Sequence, residues 1–305
     1  MMIIDIHTHL GDILYPDGGK LIDQKNVRKK IFFDIISLSE SLLHTGISDT
    51  MDQWLYKKIY TLVTRASRAR NATATLENMR QSMDAAGVVK SACMPIPPYV
   101  TFDDLEKAGR KDNGVIPFTG IDYTKDYDVA DALKNNVAQG AKGLKLHPII
   151  QCAPLDTEKT FQAVEAFAPY GLPVLFHCGV SSYYLGAEQQ QKENAALGEI
   201  IYARDLVANF PNVTFIAGHA GLFQYRDVMD LLGGFKNVMV DTSVQSPGHI
   251  RELLKVFGPE RVMYASDWPY GSRKPAIKIV KKACCGDKSL EKQIFYENAA
   301  SLLGD

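Results

Sequence analysis

The segment Asp5-Ile6-His7-Thr8-His9 places two imidazoles two positions apart. Side chains alternate along a β-strand, so His7 and His9 share a face, about two rises of ~3.3 Å from each other. That arrangement suits two ligands on one metal ion, against the plainer reading of a polar strand end. Other positions favour the metal. His177 closes Val174-Leu175-Phe176, His219 follows Ala217-Gly218, and Asp267 follows Tyr264-Ala265-Ser266. Each is a metal-competent side chain at the C-terminal end of an apolar run. Taken singly, each histidine could be a core imidazole bonded to a carbonyl, and Asp267 a helix cap. All of those readings must hold together to remove the site, and of the seven histidines only His44 and His249 fall outside strand ends. The run Gly143-Leu144-Lys145-Leu146-His147-Pro148 adds Lys145 and His147 on one face. A buried lysine there has three roles open to it: a cation for a substrate carboxylate, a structural ion-pair partner, or a carbamylated bridge between two metals.

Eight apolar runs supply the strands that must hold these residues: 3–7, 88–94, 115–122, 143–147, 173–177, 213–218, 238–241 and 262–266. Most are continuous, as expected for strands covered on both faces of a parallel sheet. Helical patterns separate them. Leu76, Met79, Met83 and Ala86 recur at helical spacing with Gly87 where a C-terminal cap belongs, and residues 129–137, 161–167, 196–208, 228–232 and 250–257 fill later gaps. Alternation of this kind predicts a TIM (β/α)₈ barrel formed by residues 1–305 as one domain. No G-x-G-x-x-G opens a helix, which disfavours a doubly wound dinucleotide fold. Two connections are long: an insertion at 10–73 after the first strand, with helical patterns at 31–43 and 51–70, and a smaller one at 181–194 after the fifth. In a barrel both belong to the face where the strands end, as a lid or pocket wall.

Composition removes several alternatives. The 305 residues carry 34 Lys plus Arg against 35 Asp plus Glu, a balance that gives no basic footprint for nucleic acid. Five scattered cysteines without a C-x-x-C pair read as reduced thiols. No basic segment followed by a long apolar stretch opens the chain, and no run is long enough to span a bilayer, so a cytoplasmic protein without membrane partner is expected. Asp17-Gly18-Gly19-Lys20-Leu21 lacks the first glycine and the hydroxyl residue of a phosphate loop, and Gly179-Val180-Ser181-Ser182-Tyr183 lacks the closing glycine of a nucleophile elbow. A homodimer is suggested by base rate alone.

The motifs DIHTHLG, GLKLHP, LFHCG, GHAG and YASDWP, with LENMRQSMDAAGVVKSACMP and the C-terminal YENAASLLG, resemble the amidohydrolase superfamily across essentially the whole chain. More narrowly they resemble its amidohydrolase-2 branch, which includes aminocarboxymuconate-semialdehyde decarboxylase. The resemblance implies one metal held by His7, His9, His177 and Asp267, with His219 as catalytic base. Lys145 departs from the decarboxylase type, because dinuclear members of the superfamily carry a bridging carbamylated lysine on strand four. Two ions, the second on His177 and His219, are therefore the alternative to one.

Three imidazoles and a carboxylate suit zinc, or another divalent transition metal. Such an ion lowers the pKa of its water to about 7, and His219 or Asp267 would move the proton. The expectation is hydrolysis of a C–N or C–O bond beside a carbonyl in a small molecule, with Lys145, His147 and Trp268 binding the substrate. Two alternatives stand beside it: non-oxidative decarboxylation of a small unsaturated or aromatic acid, and a catalytically silent metabolite-binding barrel. Arg65, Arg68 and Arg70 could clamp a substrate carboxylate, although a solvent-exposed basic helix face is the simpler reading. Tyr183, Tyr184 and Trp268 line the pocket or pack beneath loops, and the sequence does not choose.

Overall fold

The computed structural model describes residues 1–43 and 49–304, so His44 and part of the long first connection lie outside the described residues. The strands are β1 (Ile4–Thr8), β2 (Lys90–Cys93), β3 (Val115–Pro117), β4 (Thr119–Gly120), β5 (Leu144–Leu146), β6 (Val174–His177), β7 (Phe215–Gly218), β8 (Val238–Asp241) and β9 (Val262–Met263). Every adjacent pair is parallel, in the orders β1-β2-β3 and β4 through β9. β3 and β4 are the two halves of the expected third strand, parted at Phe118, whose N–H reaches back to the Cys93 carbonyl at 3.0 Å. The other seam is closed by Ile6 N–H to Tyr264 O at 3.1 Å, Asp267 N–H to His7 O at 3.0 Å and His9 N–H to Trp268 O at 2.7 Å. Eight strands thus close a TIM barrel, in agreement with the expectation from the sequence.

Alternation sorts the strand residues into two layers. Ile4, Ile6, Ala92, Leu175, Ile216 and Met263 cluster in the barrel interior with Ala299 and Leu303 of the C-terminal helix Asn298–Leu303. Leu144, Leu146, Val174, Phe176, Cys178, Val238 and Val240 instead pack outward against the surrounding helices. Cys178 is therefore a core thiol, as its position after an inward His177 demands. In β1 the register against β2 shifts between Asp5 and Thr8. The shift lets His7 follow inward-facing Ile6 and still turn into the barrel, the re-aiming that an extra residue in a ladder produces.

The long first connection contributes α1 (Ile35–Leu43) and α2 (Asp49–Asn71) before α3 (Leu76–Ala86), the first helix to pack on the barrel wall. Helix α3 starts where Thr75 accepts the Asn78 N–H and stops at Gly87, whose φ of 72° needs no Cβ to be accommodated. Arg70, near the end of α2, is 4% exposed and binds Asp34 at 2.9 Å, Glu40 at 3.0 Å and the Tyr270 carbonyl at 2.7 Å. It ties α1 and α2 to the loop after β9. Neither reading of the three arginines survives intact: Arg70 is an internal lock, Arg68 pairs with Glu188 at 3.3 Å over the Tyr15 ring, and Arg65 alone is exposed. Among the described residues no helix is long and apolar enough to cross a membrane.

Candidate metal centre

The mouth of the barrel collects His7, His9, Lys145, His147, His177, His219, Asp241 and Asp267, all at most 7% exposed. Two groups have ligand atoms within 4.8 Å of one another: His7, His9 and Asp267, and His7, His219 and Asp241. Hydrogen bonding separates their roles. His9 Nδ1 faces the Met94 carbonyl at 3.2 Å, which can only accept, so Nδ1 carries the proton and Nε2 the lone pair. That lone pair looks at Asp267 Oδ1, 3.5 Å away. Two acceptors facing one another in a dry site call for a cation between them. Asp267 Oδ1 is buried and has no hydrogen-bond partner, the mark of a ligand atom. His7 is built alike: Nδ1 donates to Asp241 Oδ2 at 2.8 Å, leaving Nε2 for the centre. The donor set fits a divalent metal ion.

Asp241 is the residue that the sequence reading missed. Its Oδ2 takes the His7 proton, while Oδ1 accepts the Ser243 N–H at 2.9 Å and the Ser243 hydroxyl at 2.5 Å. The spent hydroxyl proton makes Ser243 Oγ an acceptor, so His219 Nδ1, 2.8 Å away, donates to it. The second group is therefore a relay rather than a second metal site in this arrangement. Through one carboxylate it sets the tautomers of both His7 and His219, leaving Nε2 without a proton of its own on each. The signal was present: Val238 and Val240 face outward, so Asp241 must face inward at the end of its strand.

His177 lies beside this centre but does not join the 4.8 Å groups. Its Nε2 donates to the Gly179 carbonyl at 3.0 Å, and Nδ1 faces the Tyr183 hydroxyl at 3.4 Å. To ligate an ion, the ring must release Tyr183 or turn away from Gly179. His147 stacks on it with centroids 4.3 Å apart, and His147 Nδ1 accepts the Ile150 N–H at 3.4 Å. Lys145 Nζ meets the His7 Nε2 lone pair at 2.9 Å, a contact that an ion on that nitrogen would displace.

Burial governs the ionisation. It drives His7, His9, His147 and His219 well below the ordinary imidazole range, with Lys145 or neighbouring imidazoles adding to the effect, and brings His177 to about 3. Neutral imidazoles are the form that binds metals. Burial also lowers the Lys145 ammonium to about 7 against the pull of Asp267 and Asp241. It raises the Asp267 carboxyl well above its usual range, with Lys145 opposing.

Backbone strain concentrates here too. Asp267 has φ 57°, and His219, Ala220 and Leu222 have φ 58°, 44° and 55°, left-handed values that cost about 1–3 kcal/mol each for residues other than glycine. Gln245 holds that second turn by donating to His219 O at 2.5 Å and Leu222 O at 3.0 Å. The Trp268 ring is 8% exposed and packs over the Arg273 guanidinium, 5.1 Å away. Trp268 lies on a different cavity, beside Arg273, from the one that Asp267 lines. Tyr183 lines the cavity, whereas Tyr184 is fully buried and donates to Leu14 O at 2.7 Å. The cavity holds about 250 Å³ and is bounded by His177, His219 and Asp267 at its polar end.

Similar proteins place this site in context. No curated protein matches the chain in sequence. Solved structures of the same fold include 5-carboxyvanillate decarboxylase from Novosphingobium aromaticivorans, complexed with manganese and 4-hydroxy-3-methoxy-5-nitrobenzoic acid, at 16% identity and TM-score 0.66, covering 100% of this chain and 96% of that one. They include 2,6-dihydroxybenzoate decarboxylase from Rhizobium, at 12% identity and TM-score 0.66, covering 100% and 99%. A probable 2-pyrone-4,6-dicarboxylic acid hydrolase from Acinetobacter baumannii, with citric acid bound, matches at 14% identity and TM-score 0.60 over 100% of both chains. The amidohydrolase family model matches residues 4–304. The chain belongs to the amidohydrolase family, in its amidohydrolase-2 branch, and is an enzyme of it.

Proposed function

We propose that the chain is a divalent-metal-dependent decarboxylase that acts non-oxidatively on a small aromatic or conjugated unsaturated acid. The observation that carries this is the bare Asp267 Oδ1 facing His9 Nε2 at the floor of a mostly apolar chamber. His7, His9 and Asp267 would hold the ion, with His177 as the fourth ligand once its ring is released. A bound divalent cation supplies a fixed positive charge that anchors substrate oxygens and offsets negative charge developing on the substrate.

The remaining work belongs to the chain. His219, its Nδ1 proton tied to Ser243, presents Nε2 as the atom that takes up a proton from solvent and passes it to carbon. The C–C bond breaks with its electron pair left on the ring or alkene carbon, the new C–H bond forms there, and carbon dioxide departs. Lys145 adds positive charge beside His7, and the wall of the chamber away from this polar end is mostly apolar. His147 supports His177 by stacking on it.

Hydrolysis, the first expectation from the sequence, has less support than decarboxylation, because decarboxylases recur among the fold neighbours. Manganese, present in the N. aromaticivorans structure, stands beside zinc as the ion to supply. The test is product analysis on protein loaded with manganese or zinc, offered hydroxylated benzoates and carboxylated pyrones in D₂O. The expected result is carbon dioxide with deuterium at the vacated carbon, and a kcat lowered about 10²–10⁴-fold in His219→Asn. Ring opening without carbon dioxide restores hydrolysis.

A further inference from the structure

The polar end of the chamber accounts for the reacting carboxylate, but much of the remaining wall is hydrocarbon, and three helices present part of it beside Ser39, Glu40 and Ser67. Ile36 comes from α1, Ile59 and Val63 from α2, and Ala276 and Ile279 from the helix Arg273–Ala283. The spacings i, i+4 on α2 and i, i+3 on the last helix are those of one helix face, so each helix turns an apolar stripe towards the same space. Ile36, Ile59 and Val63 are only partly buried by protein there. The Arg70 lock fixes α1 and α2 against the loop that precedes the third helix, so the three stripes have a set separation. An anionic group between them would lose its hydration and meet the Glu40 carboxylate, which Arg70 already pairs, whereas an alkyl or aryl group would complete the burial of Ile36, Ile59 and Val63.

We propose that the acid carries, remote from its carboxylate, an uncharged hydrocarbon substituent that lies between α1, α2 and the helix Arg273–Ala283. This rests on reading the chamber as the substrate site of a decarboxylase. Each methylene entering the space should tighten binding about fourfold, the factor given by about 0.8 kcal/mol per buried methylene.

The experiment uses metal-loaded enzyme and 2-hydroxybenzoates bearing hydrogen, methyl, ethyl, propyl, butyl or pentyl at position 4. Dissociation constants are read from ligand fluorescence and carbon dioxide release is read separately. The expected result is affinity rising about fourfold per carbon until the space is filled. Val63→Trp should flatten the series, whereas Leu62→Trp, on the outer side of α2 where Leu62 is 45% exposed, should keep the wild-type slope. Should Val63→Trp not fold, Ile36→Ala and Ile279→Ala must each lower the slope. A flat wild-type series, a slope unchanged in the inner variants, or one lost in Leu62→Trp overturns the proposal. Steep binding without carbon dioxide sinks decarboxylation and leaves the hydrocarbon site standing; carbon dioxide with a flat series does the reverse. Binding of no member overturns both.

Discussion

Replacing Asp241 by asparagine isolates what the relay does, because shape is kept and only the acceptor facing His7 changes. In the wild type, Asp241 takes three hydrogen bonds at 2.8, 2.9 and 2.5 Å with no exposure to solvent. The asparagine oxygen can still serve Ser243, which leaves its NH₂ group against His7 Nδ1–H. Two donors at 2.8 Å repel, so the imidazole must move its proton to Nε2. The lone pair that a cation needs is then gone. Loss of such a carboxylate–histidine contact lowers metal affinity about 10–100-fold, equivalent to about 1.4–2.7 kcal/mol. The assay is competition for zinc or manganese against a chelator of known affinity, with ¹⁵N shifts of the His7 ring in the metal-free protein reporting the tautomer directly. Ser243→Ala is the partner variant: it should leave metal affinity within about threefold while lowering kcat, since it frees His219 and not His7, and Ser243→Thr should restore kcat. Metal affinity within threefold of wild type in Asp241→Asn, or a His7 proton still on Nδ1, refutes the reasoning.

Metal at 100 times its dissociation constant should raise stability by about 2.7 kcal/mol, seen as a higher Tm, and Asp267→Asn should lose most of that rise. Arg70→Met should destabilise by about 3 kcal/mol in urea unfolding, because it strands the Asp34 and Glu40 carboxylates that Arg70 binds in its buried position. Asp34 gives a pH signature. Burial alone would raise its carboxyl, but hydrogen bonds from Lys29 and Arg70 and the Arg70 charge prevail and lower it from 3.8 to about 2. A depressed native value means stability present above the unfolded pKa and lost as pH falls through the native one. The stability advantage of wild type over Asp34→Asn, about 1 kcal/mol after allowance for partial exposure, should therefore be full above pH ~4 and fade between pH ~4 and ~2. An advantage independent of pH in that window counts against the Arg70 lock.

What could be read before the fold was known follows from which signals are local. Strand alternation is local, so it pairs His7 with His9 and Lys145 with His147 on shared faces, with Leu144 and Leu146 opposite, although His7 itself faces inward only because the register of β1 shifts. The same parity along Val238–Asp241 turns Asp241 inward as well, but nothing about a lone aspartate at a strand end advertises its distant partners, His219 through Ser243, and His7 at a separation of 234 residues. Trp268 shows a different limit: it lines another cavity than its neighbour Asp267, and the φ of 57° at Asp267 is not written in residue types. The arginines show a third limit. Arg65, Arg68 and Arg70 are indistinguishable by composition, and only the packing of α1 against α2 and the Tyr270 carbonyl selects Arg70 for burial. Its two carboxylate partners lie at positions 34 and 40, in a stretch where helical periodicity was the only signal, so the lock could emerge only from three dimensions. On the proposed function, the chemistry and the specificity of this enzyme have separate origins. Strand ends set the former, through side chains whose direction alternation dictates. The helices of the first connection set the latter, and their faces become meaningful only once Arg70 has fastened them over the barrel.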